Sequence, residues 1–177
     1  MKRNKKRKCV FFDRDGIVNE APFKRYVEKW QEFRLKPEFP VVLRIVTEKG
    51  YDAIVVTNQK GIAVGALKKR NVEYIHRKLR EKLEKEHGLS LLDIVYCPHD
   101  DNECLCRKPK PGMLLASADK YGIDLKKSWM IGDQERDVEA GINAGCKTIL
   151  VDSQGKSSKA DFTFGSLSEL AIALPAY

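Results

Sequence analysis

Two carboxylates stand two residues apart in Asp13-Arg14-Asp15-Gly16, directly after the apolar run Cys9-Val10-Phe11-Phe12. Side chains of an extended backbone alternate with a period of two, so both acids project to one side. Paired acids suit two tasks, holding a hard cation such as Mg2+ and dividing nucleophilic from acid/base work; a tight turn uses the same residues. Thr57-Asn58-Gln59-Lys60-Gly61 offers a hydroxyl and free backbone N–H groups, which fit an anionic oxygen and equally a helix cap. Arg107-Lys108-Pro109-Lys110-Pro111-Gly112 sets cations in a backbone stiffened by two prolines, or makes a basic surface turn. Gly132-Asp133-Gln134-Glu135-Arg136-Asp137 places one acid after an apolar run and another a helical turn further on, a ligand pattern that also complements a helix dipole.

A second cluster has a different chemistry. Cys97-Pro98-His99 and Cys104-Leu105-Cys106 put three thiols and an imidazole within ten residues. Cys97, His99, Cys104 and Cys106 in a short polar loop form a closed structural zinc set with no open position for water or substrate. The loop runs straight into Arg107 and Lys108, so its expected task is to fix those cations. Cys9 and Cys146 are expected as small core residues, and His76 and His87 as solvent-facing helix residues.

The elements that must position these groups alternate along the chain. Cys9 to Phe12, Ala53 to Val56, Ile94 to Tyr96, Trp129 to Ile131 and Thr148 to Val151 are short apolar runs that read as buried strands. Between them, Glu38 to Lys49, Leu67 to His87, Pro111 to Tyr121 and Arg136 to Ala144 read as helices. In the longest, Val72, Ile75, Leu79 and Leu83 make one apolar stripe. Gly50, Gly88, Gly122 and Gly145 each close a helical pattern. Strands alternating with helices predict an α/β fold, a doubly wound Rossmann-like parallel sheet with helices on both faces. Ser153 to Lys159 reads as a surface loop. Ligands of such folds bind beyond the carboxyl ends of the strands, and all four chemical segments arrive at that edge. Acids for a metal, a carboxylate nucleophile, a hydroxyl and a lysine together compose a phosphoryl-transfer site.

Asp-x-Asp-Gly, a strand ending in Thr-Asn, Lys-Pro and Gly-Asp-x-x-x-Asp, in that order from about Cys9 to Val151, resemble the haloacid dehalogenase superfamily of aspartate-nucleophile phosphatases. The resemblance implies that Asp13 attacks phosphorus, that Asp15 handles the proton, and that Thr57 and Lys108 neutralise the transferring group. It implies Mg2+ on Asp13, Asp133 and the backbone carbonyl of Asp15, with Asp137 bracing the site, for instance by pairing with Lys108. The loop Cys-Pro-His…Cys-x-Cys-Arg-Lys-Pro is similar to the branch of heptose bisphosphate and histidinol-phosphate phosphatases. By that likeness the substrate is a small phosphorylated sugar met by Asp13, Arg14, Asp15, Thr57, Asn58, Gln59, Lys60, Arg107, Lys108 and Gln134. No large cap insertion follows Asp15. Lys24 and Arg25 are candidates for a distal phosphate, against plain surface charge.

Composition bounds the alternatives. The chain has 177 residues with a net charge of +8, and Lys2, Arg3, Lys5, Lys6, Arg7 and Lys8 carry most of that excess; without them 27 basic residues face 25 acidic ones. Residues 1–8 are therefore expected to be a disordered basic leader and 9–177 one domain, a monomer. The leader's other reading is a nucleic-acid anchor, as in a polynucleotide 3′-phosphatase; without interleaved aromatic residues, that contact is disfavoured. No run suits a membrane span or secretory signal, and five cysteines fit the cytoplasm better than a disulfide framework.

Overall fold

The computed structural model describes residues 6–22, 26–155 and 157–174. Its strands are β1 (Cys9–Phe12), β2 (Asp52–Asn58), β3 (Asp93–Cys97), β4 (Trp129–Gly132), β5 (Lys147–Val151) and β6 (Phe162–Phe164). They form one parallel sheet in the order β3-β2-β1-β4-β5-β6. The helices are α1 (Phe39–Glu48), α2 (Lys69–His87), α3 (Gly112–Tyr121), α4 (Glu135–Ala144) and α5 (Leu167–Ala173). The order reverses at β1 and β4, and a crevice opens at such a switch point.

Alternation along the central strands divides the core. Val10 and Phe12 of β1, with Ala53 and Val55 of β2, pack under α1, α2 and α5. Cys9 and Phe11, with Ile54 and Val56, pack against Met113 and Leu114 of α3 and Ala144 of α4. Both faces of these strands are buried, which is why they read as unbroken apolar runs. Each fully buried large apolar side chain contributes roughly 1.5–3 kcal/mol. Cys9 and Cys146 lie in the second core as expected. The stripe Val72, Ile75, Leu79 and Leu83 is completely buried.

Several expectations need correction. β6 and α5 extend the sheet and its helical cover beyond the fifth strand. His76 is not solvent-facing: it lies on the apolar stripe, one turn after Val72, at 6% exposure. His87, in the last turn of α2, keeps partial exposure. Arg7 and Lys8, within the expected leader, contact the domain. Arg7 exchanges backbone hydrogen bonds with Gly122 and Asp124, and its guanidinium donates two 2.6 Å bonds to Asp52. Lys8 Nζ sits 4.0 Å from the Tyr51 ring centroid. Residues 1–5, and with them Lys2, Arg3 and Lys5, lie outside the described residues, as do Lys24 and Arg25. Between β1 and α1 the described residues hold one 3-10 turn, Trp30–Glu32, and no cap. Among the described residues no helix is long and apolar enough to cross a membrane.

Candidate active site

The parallel crossovers deliver Asp13, Thr57 and Asp133 to the carboxyl ends of β1, β2 and β4, and the loop after β3 brings Lys108 among them. Asp13, Lys108 and Asp137 are 4%, 2% and 0% exposed. Lys108 Nζ lies 2.6 Å from Asp13 Oδ1, 2.7 Å from Asp137 Oδ1, and donates to Val56 O at 2.9 Å. A buried ammonium costs several kcal/mol in desolvation unless it is paired; here it donates to Asp13 and Val56 and forms an ion pair with Asp137. Burial works against the Lys108 charge, yet Asp13 and Asp137 hold it above the usual lysine range. Burial pushes the Asp13 carboxyl up to about 7, Lys108 opposing and the neighbouring carboxylates assisting. Asp13 therefore depends on local positive charge to stay ionised.

A divalent cation fits beside this cluster. Ligand oxygens of Asp13, Asp133 and Asp137 lie within 4.8 Å of one another. Asp137 is committed elsewhere, with one oxygen on Lys108 and the other accepting from the Gln134 N–H at 3.1 Å. Asp133 Oδ1 is buried without a hydrogen-bond partner, and burial with the Asp137 charge raises its pKa. An orphaned, destabilised carboxylate oxygen is what a hard cation would satisfy. Gly16 leaves room for it: its φ is +101°, and a Cβ there would lie 2.1 Å from Asp133 Oδ2. Asp137 braces Lys108, as expected.

Asp15 is held by its neighbours. Arg14 Nη2 donates to both of its oxygens at 3.0 and 2.9 Å, Asn19 Nδ2 donates at 2.9 Å, and Gln59 Nε2 donates at 3.3 Å. Gln59 Nε2 also donates to Thr57 Oγ1 at 2.9 Å, tying the acid/base candidate to the hydroxyl. Two of the expected substrate contacts have side chains engaged within the protein. The Arg14 side chain is 1% exposed and faces Asp15 and, at 3.1 Å, His76 Nε2. Gln59 is 2% exposed and spans Thr57 and Asp15. Asn58 closes a ring with the Lys108 backbone, accepting from its N–H and donating to its carbonyl, each at 3.0 Å. Gln134 is exposed at the start of α4, with Nε2 3.4 Å from Asp133. Lys60 and Arg107 reach neither Asp13 nor Asp15; both pair with Asp101.

The thiol and imidazole set also comes together. Cys106 Sγ lies 3.1 Å from both Cys97 Sγ and Cys104 Sγ, Cys97 and Cys104 are 3.5 Å apart, and His99 Nδ1 is 3.6 and 3.3 Å from Cys97 and Cys106. Zinc–sulfur bonds of about 2.3 Å give tetrahedron edges near 3.8 Å, slightly longer than these. The loop is fixed at both ends. Cys97 O accepts from the Gln59 N–H at 2.8 Å, and Gly112 approaches so closely that a Cβ would lie 2.3 Å from Leu105 O.

Sequence reasoning missed His76, Asn19 and Asp101. His76 had a usable signal, since it continues the helical stripe; Asn19 and Asp101 had none, because their partners are chosen by loop folding.

A buried carboxylate facing an ammonium, with a second acid two residues on, is an arrangement suited to phosphoryl transfer. A HAD-hydrolase-like family model matches residues 105–168. The D-glycero-alpha-D-manno-heptose-1,7-bisphosphate 7-phosphatase of Photorhabdus laumondii is 36% identical over 151 residues, covering 81% of each chain. The D-glycero-beta-D-manno-heptose-1,7-bisphosphate 7-phosphatase of Helicobacter pylori is 39% identical over 145 residues, covering 81% of this chain and 83% of that one. The crystal structure of D,D-heptose 1,7-bisphosphate phosphatase from B. bronchiseptica, complexed with magnesium and phosphate, superposes with a TM-score of 0.85 at 30% identity, covering 96% and 98% of the two chains. The chain belongs to the haloacid dehalogenase-like hydrolases and is a phosphatase of that family.

Proposed function

We propose that the chain hydrolyses the 7-phosphate of D-glycero-D-manno-heptose 1,7-bisphosphate, in the cytoplasm and as a monomer. The observation that carries this reading is the extent of the likeness to heptose bisphosphate phosphatases, which spans the motifs after β1, β2, β3 and β4 together. Asp13, through the oxygen not engaged by Lys108, forms a bond to phosphorus as the bond from phosphorus to the sugar oxygen breaks. Asp15 gives that oxygen a proton. Water then attacks the aspartyl phosphate, Asp15 takes its proton, and the bond to Asp13 breaks to release phosphate. Thr57 and Lys108 meet the charge of the transferring group, with Lys108 already held by Asp13 and Asp137. Mg2+ on Asp13, Asp133 and the Asp15 carbonyl would neutralise the approaching anion and help keep Asp13 ionised. Zn2+ on Cys97, His99, Cys104 and Cys106 would order the loop that carries Arg107 and Lys108.

Steady-state turnover with Mg2+ tests the reading on both anomers of the heptose bisphosphate, histidinol phosphate and a DNA 3′-phosphate end. The expected kcat/KM is at least about a hundredfold higher for a heptose bisphosphate. Asp13→Asn should lose roughly a thousandfold or more in kcat while remaining folded. A preference for histidinol phosphate or for nucleic-acid ends overturns the substrate, and retained turnover by Asp13→Asn overturns the nucleophile.

A further inference from the structure

The two cations at the rim of the site are bridged by one carboxylate. Lys60 Nζ lies 2.7 Å from Asp101 Oδ2 and also pairs with Asp100, while Arg107 Nε lies 2.6 Å from Asp101 Oδ1. The Asn58–Lys108 ring locks together the loops that carry them, since Lys60 is two residues beyond Asn58 and Arg107 adjoins Lys108. Burial is uneven across the bridge: Lys60 and Arg107 are 20% and 17% exposed, Asp101 61%. The cations are set into the protein, whereas the acid reaches them from the outside of an exposed turn.

The bridge is also incomplete. Asp101 meets the Arg107 guanidinium through Nε, one arm of the fork that Nε and Nη2 form. Asp101 spends one oxygen on each cation and so cannot also engage both arms of the guanidinium fork. A phosphate has three oxygens and can take Nε and Nη2, the adjacent arms of the fork, together while keeping Lys60, a stronger, bidentate charge-assisted arrangement. A hydroxyl or a sugar ring has no such advantage over the carboxylate. The other large opening, a cavity of about 700 Å3 reached past Gly16 and Asp133, has Glu20, Glu38, Glu135 and Asp152 against Lys36 and is the wrong sign for a second phosphate.

We propose that Asp101 is a specificity-determining stand-in: with no substrate bound it occupies the place of the substrate's second phosphate between Lys60 and Arg107, and a bisphosphorylated ligand displaces it. Monophosphates bind with the bridge closed and gain nothing from the two cations. This deepens the heptose bisphosphate reading and rests on it for the substrate, though not for the anion exchange itself. Asp101→Asn keeps the turn's size and removes the competing charge.

The test uses the full chain with its metals, and p-nitrophenyl phosphate as a reporter substrate. Heptose 1,7-bisphosphate and heptose 7-phosphate are each measured by KM, or by their inhibition constant against the reporter where they are not hydrolysed. Asp101→Asn should bind the bisphosphate roughly three- to tenfold more tightly, with the monophosphate constant unmoved. Zinc content is measured alongside. If it falls, Asp101→Glu, which keeps the charge, should restore the wild-type ratio of the two constants. A bisphosphate constant that is unchanged or weaker in a zinc-replete Asp101→Asn protein overturns the proposal. If the bisphosphate is not hydrolysed by wild type yet still binds more tightly to Asp101→Asn, the substrate reading fails and the stand-in remains. If it is hydrolysed and its constant does not move, the stand-in alone fails.

Discussion

His76 makes the stability of this protein depend on pH in a way that one substitution should remove. Burial first, and then the charge of Arg14, pulls its pKa from 6.5 to about 3, with Asp15 opposing and Arg80 assisting. The ring is packed edge-on against Tyr96 and sits 3.1 Å from Arg14 Nη1, so it must stay neutral to accept that hydrogen bond. A base whose pKa is depressed in the folded state binds its proton more readily in the unfolded chain. Native stability is therefore complete above about pH 7, falls as the pH drops through the unfolded value, and stops falling only near pH 3. At pH 5 this one residue is expected to cost about 2 kcal/mol relative to pH 8. Asp13, with its raised pKa, acts in the opposite sense over part of this range, so the wild-type curve alone is ambiguous. His76→Gln resolves it, because the glutamine oxygen can accept from Arg14 but does not titrate. Urea unfolding of both metal-replete proteins by tryptophan fluorescence, at intervals from pH 5 to 8, gives the difference curve. Wild type should lose about 2 kcal/mol more than His76→Gln across that interval. Parallel curves would refute the reasoning.

Gly16→Ala should disable the cation site without unfolding the core, because the new methyl would lie 2.1 Å from Asp133 Oδ2 at a backbone φ of +101°. The Mg2+ concentration for half-maximal turnover should rise at least about tenfold, and an unchanged Mg2+ titration would contradict the placement of Asp133. Chelating zinc from Cys97, His99, Cys104 and Cys106 should raise KM more than it lowers kcat, since Arg107 follows the loop directly while Lys108 is also held by Asp13 and Asp137. A verified zinc-free preparation with full kcat/KM would rule out this coupling.

The parallel sheet was legible because its signals are local: short apolar runs of three or four residues, helical stripes between them, and glycines where the helices stop. Once the strands alternate with helices, the carboxyl-end rule collects Asp13, Thr57 and Asp133 without knowledge of any contact. The brace of Asp137 on Lys108 was an implication of the family resemblance; spacing alone placed Asp137 one helical turn after Asp133. β6 was harder, since Phe162-Thr163-Phe164 is a three-residue edge strand whose middle residue is exposed. The Ser166 side chain accepting from the Glu169 N–H at 3.1 Å marks the start of α5, a capping signal present in the sequence but too short to stand alone.

Local periodicity cannot show which charges pair when several carboxylates and cations converge on one sheet edge. Arg14 illustrates the point. Expected from the family likeness as a substrate contact, it turns its side chain inward to Asp15 and His76. Depth decides these choices. A cation that is 1% exposed, as Arg14 and Lys108 are, must satisfy its donors within the protein, because leaving one unpaired there costs far more than at the surface. Lys60 and Arg107 are shallower and face a weaker requirement, so an exposed acid can meet it temporarily. The same gradient separates function along the site. The deep pairs fix Asp13 and Asp15, while the shallow pair is the one at which the proposed exchange with substrate would take place.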